Sequence, residues 1–343
     1  MRTQGLMACR QVIQMSEHQK GSPFSIRTKA DPKKILEFPE YIERGLKTEF
    51  PPKKSKGVCI FAVGPTSAAA QFVVDVSNRY PFCVLSSLDE RIPGWVGRGN
   101  DAILMSYSGN TEKIVNAYRC LEKRACDIHC MTSDGILSEK CKERGDDYIQ
   151  LPLGMTPRSA VGLEIGLLAS LLKSFGAPYL HDALSTILDD LKAYRDGLVN
   201  NPSEVNRVAD ALEDKIPAIY SIVDIVAAAK RWKLSFDEDT DAPAFYGEIP
   251  EFDHNEIVGW ADPNIHARNL EMVLLRIDSE IPELEYVLKS MMEVLDEYDR
   301  EIVCVDFPEK NMTLAELEAM LFGDMVSLEI RKRRGVQRWE RKQ

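Results

Sequence analysis

The chain contains no stretch of about 18 uncharged apolar residues, the minimum for a membrane-crossing helix. Its most apolar run, Ile216 to Ala229, is interrupted by Asp224, so no membrane partner is expected. The N-terminal residues also lack a continuous hydrophobic region ahead of a small-residue cleavage site. Arg2, Arg10, Glu17, His18 and Lys20 surround only a short apolar patch, which argues against secretion. Cysteine is sparse, 8 in 343 residues, and irregularly spaced. Reduced thiols in a cytoplasmic protein are therefore expected rather than a disulfide scaffold. Positive charge is in deficit: 43 Lys and Arg stand against 54 Asp and Glu, a net charge of -11. That balance repels polynucleotides, and nucleic acid is not expected as a partner. No G-x-G-x-x-G follows any apolar run, which disfavours a dinucleotide cofactor. Finger-spaced Cys/His pairs are missing as well. Cys126, His129 and Cys130 fall together on an expected buried strand, and neither a metal nor a cofactor is expected.

What is present is an ordinary globular composition, 44% hydrophobic and 28% charged, in a chain long enough for two domains. Residues 1-50 are expected to form an N-terminal arm and a helix over Ile35 to Lys47. A first domain is expected over 51-178. Its apolar runs Gly57 to Val63, Phe82 to Ser86, Asp101 to Tyr107 and Asp127 to Thr132 read as strands. Helices are expected over Ala68 to Arg79, Glu112 to Arg124, Leu137 to Glu143 and Val161 to Phe175, the last strongly apolar. A helical connection follows over 179-215, broken at Asn200, Asn201 and Pro202. The second domain, 216-343, repeats the alternation with strands Pro217 to Val223, Leu270 to Arg276 and Ile302 to Phe307. Its helices are a stretch reaching Trp232, Glu283 to Tyr298 and Leu314 to Arg334, followed by a basic tail carrying Arg338, Arg341 and Lys342. Alternating buried strands and helices make the expected class α/β, with two doubly wound parallel sheets and helices on both faces.

Chemistry concentrates after the first-domain strands. Met105 to Thr111 reads MSYSGNT and places Ser106, Ser108 and Thr111 at the carboxyl end of a strand, where open α/β sheets bind ligands. Gly109 permits a tight turn, and the helix beginning near Glu112 directs unpaired N–H groups and its positive dipole end at the same point. A phosphomonoester would be held there without a lysine. Leu153 to Gly162, LGMTPRSAVG, sets Arg158 on a Pro-initiated turn before an apolar helix, a fixed guanidinium for a phosphate or a developing enediolate. Acids crowd the Lys233 to Glu256 segment, expected as a loop around Pro243 and Pro250, with an EF-hand-like spacing spoiled by Ala242 and Pro243. The second half runs from Ile222 and Val223 straight into Ala227, Ala228 and Ala229, which offers an anion nothing.

These motifs together resemble the phosphoglucose/phosphomannose isomerase family, whose members carry two SIS (sugar isomerase) domains. The resemblance spans nearly all of 35-335. It is most specific at SYSGNT (106-111), TPRSA (156-160), RWK (231-233), PAFYGEIPEFDHNEIVGW (243-260) and FGDMVSL (322-328). It implies that Ser106, Ser108 and Thr111 bind the sugar phosphate. The family's Gly-Gly-Ser first loop maps onto Gly64, Pro65, Thr66 and Ser67, so Thr66 stands in for the hydroxyl while Pro65 lacks a backbone donor. The family's base maps onto Glu238, a partly buried carboxylate that would move one proton between C2 and C1 through a cis-enediol. The histidine maps onto His254, contributed across a homodimer interface to help open the sugar ring, and Arg158 maps onto the enediolate-stabilising arginine.

Asp237 and Asp239 stand where the family has asparagines, and Asp241 stands where it has a lysine. Gly335 to Gln343 replaces a Thr-Pro turn and a lysine-bearing helix, so no lysine role carries over. The resemblance thus implies a metal-free isomerase for hexose 6-phosphates (glucose 6-phosphate and mannose 6-phosphate to fructose 6-phosphate). The alternative is a phosphosugar-binding sensor that retains the cradle without the catalysis.

Overall fold

The computed structural model describes residues 29-261, 269-277, 282-298, 301-308 and 311-335. The basic residues Arg338, Arg341 and Lys342, and most of the N-terminal arm, lie outside the described residues.

Two short helices, α1 (Pro32–Leu36) and α2 (Phe38–Leu46), divide the expected first helix, because Pro39 opens a new first turn. The first sheet follows from the apolar runs β1 (Val58–Ala62), β2 (Val84–Ser87), β3 (Asp101–Met105), β4 (Asp127–Thr132) and β5 (Asp147–Gln150). All its pairings are parallel and the strand order is β2-β1-β3-β4-β5. The strands are joined by α3 (Thr66–Ser77), α4 (Glu112–Leu121) and α5 (Gly135–Arg144), and β5 leads into α6 (Val161–Ser174). Side chains alternate across the sheet: Ile60, Ile103 and Met105 pack with α3 and α6, whereas Phe61, Leu104 and Cys130 pack with α4 and α5. Between Asp101 and Asp147, His129 is buried on β4 with nitrogen–oxygen distances of 2.7 and 2.9 Å, a satisfied core histidine rather than part of a metal set.

Helices α7 (Tyr179–Asn200) and α8 (Ser203–Leu212) form the connection and part at Asn201 and Pro202. The second sheet contains β6 (Ile216–Ile222), β7 (Phe245–Ile249), β8 (Leu270–Ile277) and β9 (Val303–Phe307) in the parallel order β7-β6-β8-β9. Its helices are α9 (Val226–Asp239), α10 (Glu251–Ala261), α11 (Pro282–Glu297) and α12 (Met312–Arg334). The segment expected as an acidic loop over 233-256 is therefore corrected: it comprises the end of α9, an edge strand and α10. Among the described residues no helix is long and apolar enough to cross a membrane.

One continuous core joins the two sheets through α3, α6, α9 and α12, while smaller clusters fill their outer faces. The α9–α12 contact is close because Gly323 leaves room for Trp232. A Cβ at Gly323 would lie 2.3 Å from the indole, whose Nε1 donates to the Ala319 carbonyl at 2.7 Å. Helix α9 thereby lies in the seam, facing the first sheet's helices.

Candidate functional site

In a parallel sheet of order 2-1-3-4-5 the chain turns outward in opposite directions from β1 and β3, which opens a crevice at their carboxyl ends. Register pairs Ala62 with Met105, so the loops after these strands lie side by side. After β1, Gly64 takes a left-handed φ of 65° and the chain enters α3. The Thr66 hydroxyl donates back to the Val63 carbonyl at 3.0 Å, and Ser67 Oγ donates to the Gly64 carbonyl at 2.7 Å. Both residues are buried. Thr66 thus lies beside the cradle, with its hydroxyl proton directed at its own loop.

After β3, Ser106 Oγ lies 2.8 Å from Thr111 Oγ1, so two of the expected hydroxyls meet directly. Ser108 is exposed at the crevice mouth, and its Oγ accepts from the Asn110 amide at 3.3 Å. Gly109 is obligatory for two reasons: its φ is 68°, and a Cβ there would lie 1.7 Å from the Asp134 carbonyl oxygen. Thr111 is the N-cap of α4 in extended conformation and makes no capping bond with its own side chain. The first-turn amides and dipole of α4 therefore face a cluster of hydroxyls, an arrangement suited to an anion.

Tyr107 joins this turn to the Arg158 loop. Its hydroxyl donates to the Pro152 carbonyl at 2.7 Å and accepts from the Met155 amide at 2.8 Å. Arg158, expected as a fixed guanidinium on this turn, is 1% exposed. Nη1 is paired with Asp239, and Nη2 donates to Asp324 and to Ser327, each at 3.1 Å. Arg231 donates to the same Asp324 at 2.9 and 3.2 Å and to the Arg158 carbonyl at 2.9 Å. Arg331 reaches Asp239 at 3.2 Å. Burial alone would raise the Asp324 pKa, but Arg231 and Arg158 hold it below the usual carboxylate range. Burial likewise opposes the Arg158 charge, and Asp324 with Asp239 hold its pKa above the ordinary value. Such a network, three guanidiniums sharing two buried carboxylates, is costly to break. Asp239 and Asp324 supply the partners that hold Arg158 in the seam.

Glu238 is half-buried in the last turn of α9, next to Asp239, and its charge acts on Arg158. Asp237 is occupied elsewhere, paired with Lys233 and accepting from the Ala244 amide at 3.0 Å. The three acids that stand where the family has asparagines and a lysine are each ion-paired: Asp237 with Lys233, Asp239 with Arg158 and Arg331, and Asp241 with Lys29 at 2.8 Å. With Asp239 on a helix and bound to guanidinium groups, the EF-hand-like frame is not assembled.

His254 is exposed on α10. The two helices pack on opposite faces of the second sheet, α9 with Ile219 and Ile222, and α10 with Ala218 and Tyr220. One chain therefore does not bring His254 beside Glu238.

Sequence reasoning assigned no role to Asp324, Ser327, Glu164 or Lys230. The first two lie in the FGDMVSL motif, a signal that was visible but had no partner attached. Glu164, in the first turn of α6, is fully buried, and neither carboxyl oxygen has a partner among the described residues. Burial pushes its pKa up to about 8, with Arg231 opposing.

Comparison with known proteins bears on both halves. Residues 201-338 match the bacterial phospho-glucose isomerase C-terminal SIS domain. The bifunctional phosphoglucose/phosphomannose isomerase of Aquifex aeolicus is 31% identical over 229 residues, 66% of this chain and 68% of that protein. The enzyme of the same name from Caldicellulosiruptor bescii is 27% identical over 262 residues, 74% of this chain and 77% of that one. Among solved structures, the C-terminal domain of glucosamine-fructose-6-phosphate aminotransferase from Francisella tularensis superposes with a TM-score of 0.67 at 13% identity. It covers 88% of this chain and 94% of that one, a likeness of fold alone.

Proposed function

The chain belongs to the bifunctional phosphoglucose/phosphomannose isomerase family, and on that premise we propose that it interconverts glucose 6-phosphate and mannose 6-phosphate with fructose 6-phosphate. The observation that carries the reading is the tie across the seam. Asp239 and Arg158 join the α9 turn bearing Glu238 to the loop that Tyr107 holds against the Ser106–Thr111 hydroxyls. Phosphate in the crevice would then place the far end of the sugar toward Glu238.

In this mechanism Ser106, Ser108, Thr111 and the α4 amides hold the phosphate, with Gly64 and Thr66 forming the adjacent wall. Glu238 takes the proton from C2 as the carbonyl oxygen at C1 takes one from solvent, giving a cis-enediol. It then returns the proton to C1 as the C2 oxygen gives up its own. Arg158 acts as a positioning residue that fixes the α9 turn, not as a group touching the enediolate. A second copy of the chain supplies His254 for ring opening, so the active species is a cytoplasmic homodimer with shared sites. The proton transfer asks for no metal, and activity is expected to survive chelation.

Formation of fructose 6-phosphate from each aldose by purified protein tests the reading. One observation favours the second reading, a phosphosugar-binding sensor: the Arg158 charge is already spent on Asp239 and Asp324. Tight hexose 6-phosphate binding without turnover would select it.

A further inference from the structure

The cradle after β1 and β3 offers hydroxyls and amides, yet among the described residues no lysine or arginine donates to Ser106, Ser108 or Thr111. The nearest candidate by sequence, Arg158, is committed to the seam. A cation does lie behind the first turn of the neighbouring helix α3. Lys230, in the first turns of α9, is 7% exposed, and its Nζ donates to the carbonyl of Ser67, the second residue of α3, at 3.3 Å.

We propose that Lys230 is the buried cation of the phosphate cradle, supplied to the first half of the chain by a helix of the second half. The proposal rests on the reading that the β1/β3 crevice holds a sugar phosphate, and it assigns the charge that makes that crevice select an anionic sugar over a neutral one.

Three observations support it. Lysine is almost never buried unless paired, and an ammonium carries three donors. Lys230 has one long hydrogen bond to a neutral carbonyl, so its remaining donors and its charge lack an acceptor of matching strength among the described residues. Second, the surrounding groups leave the charge uncompensated at contact range. From α3, Asp75 acts on Lys230 from beyond ion-pair distance, and its oxygens are already taken by Gln71 Nε2 at 2.7 Å and the Ala227 amide at 2.9 Å. From α12, Glu316 shares Asp75's pocket, where burial and Asp75 push its pKa well above the ordinary value. Arg79, just beyond the end of α3, acts on that acid pair and adds positive potential. Third, Lys230 and Glu238 are eight positions apart on one helix, a rise of about 12 Å, comparable to an extended six-carbon phosphate ester. Helix α9 would thus serve both ends of one substrate, with a cation at the phosphate and a base at the carbonyl.

Burial lowers the Lys230 pKa to about 8, with Asp75 opposing. In the free protein the cation is therefore present below that pH and lost above it, and affinity for a dianion falls as pH rises through this value.

Calorimetric titration of the full chain with glucose 6-phosphate, from about pH 7 to about pH 9.5, tests this, because a phosphomonoester has its second pKa at about 6 and is mostly dianionic throughout the interval. Wild type is expected to weaken by roughly tenfold across the interval. Lys230→Met should be weaker by a similar factor at the low end and flat with pH. Lys230→Arg should stay tight and flat, because a guanidinium keeps its charge. A merely structural lysine would not move the pH profile. Retention of the inflection in Lys230→Arg, or a folded Lys230→Met that binds within about twofold of wild type, overturns the proposal. If the methionine variant does not fold, the arginine profile decides alone. The underlying reading fails separately: wild type then binds no glucose 6-phosphate, or Ser106→Ala with Thr111→Ala leaves binding unchanged, and the Lys230 assignment falls with it.

Discussion

The two sheets share a topology and differ at the same place. In each, the first strand has neighbours on both sides, so a crevice opens beside β1 in the first sheet and beside β6 in the second. Beside β1 the chain presents Gly64 and Thr66, and across from them Ser106, Ser108, Gly109 and Thr111. Beside β6 it runs through Ile222, Val223 and Ile225 into the buried alanines of α9. Topology supplies a crevice twice, and among the described residues only the first presents side chains suited to an anion. The second half contributes differently: α9 carries Lys230, Arg231 and Asp239 to contacts with the first half, and Glu238 beside them.

The comparison breaks most sharply at Glu238. Glu238→Gln is expected to lower kcat by roughly 10² to 10⁴, with glucose 6-phosphate affinity nearly unchanged, as read by steady-state kinetics beside calorimetry. Undiminished turnover would remove α9 from the chemistry and turn attention to Glu248, Glu251 and Glu256.

Next in size is the tie between the halves. Arg158→Met leaves Asp239 and Asp324 short of a buried partner and should cost about 3–5 kcal/mol in urea unfolding. A loss no larger than that of a surface substitution would mean that the seam network does not hold the halves together.

A smaller effect separates the crevices themselves. Ser106→Ala or Thr111→Ala should each cost about 1.5–3 kcal/mol of hexose phosphate binding, the usual worth of a hydrogen bond to a charged group. Ser221→Ala, in the second sheet, should cost none. Ser221 Oγ is buried and has no partner among the described residues.

The smallest effect on function is expected at Glu164, which meets the Arg231 charge at the seam. Its carboxyl has an ordinary pKa of 4.5 when exposed and about 8 when folded. Below the lower value both states are protonated and stability is fully present. As pH rises through the window the unfolded state ionises first, so stability declines until about 8. Glu164→Gln should flatten that part of the stability–pH curve, measured by denaturation at several pH values, while leaving phosphosugar affinity in place. An unchanged slope would show that the carboxyl ionises normally.

The legible parts of the molecule were those whose signal is local. Continuous apolar runs marked β1, β3 and β4, and the SYSGNT turn carried its own glycine and helix start. Strands β5 and β7 were not legible, because each lies at a sheet edge and buries a single residue fully, Ile149 and Ile249. Their sequences, DYIQ and FYGEI, therefore lack the apolar run that distinguished central strands. Helix α9 was expected only as far as Trp232, because Asp237, Glu238 and Asp239 look like solvated loop residues until their partners are known. The fate of Arg158 was hidden for the same reason. Asp239 and Asp324 lie far along the chain, and only folding reveals that two acids await the guanidinium.

The most direct test of the contrast between the two crevices is a crystal structure of the protein with glucose 6-phosphate. The account predicts the phosphate beside β1 and β3, bonded to Ser106, Ser108 and Thr111, with C1 and C2 directed toward Glu238. Phosphate bound beside β6 and β8 instead would contradict it.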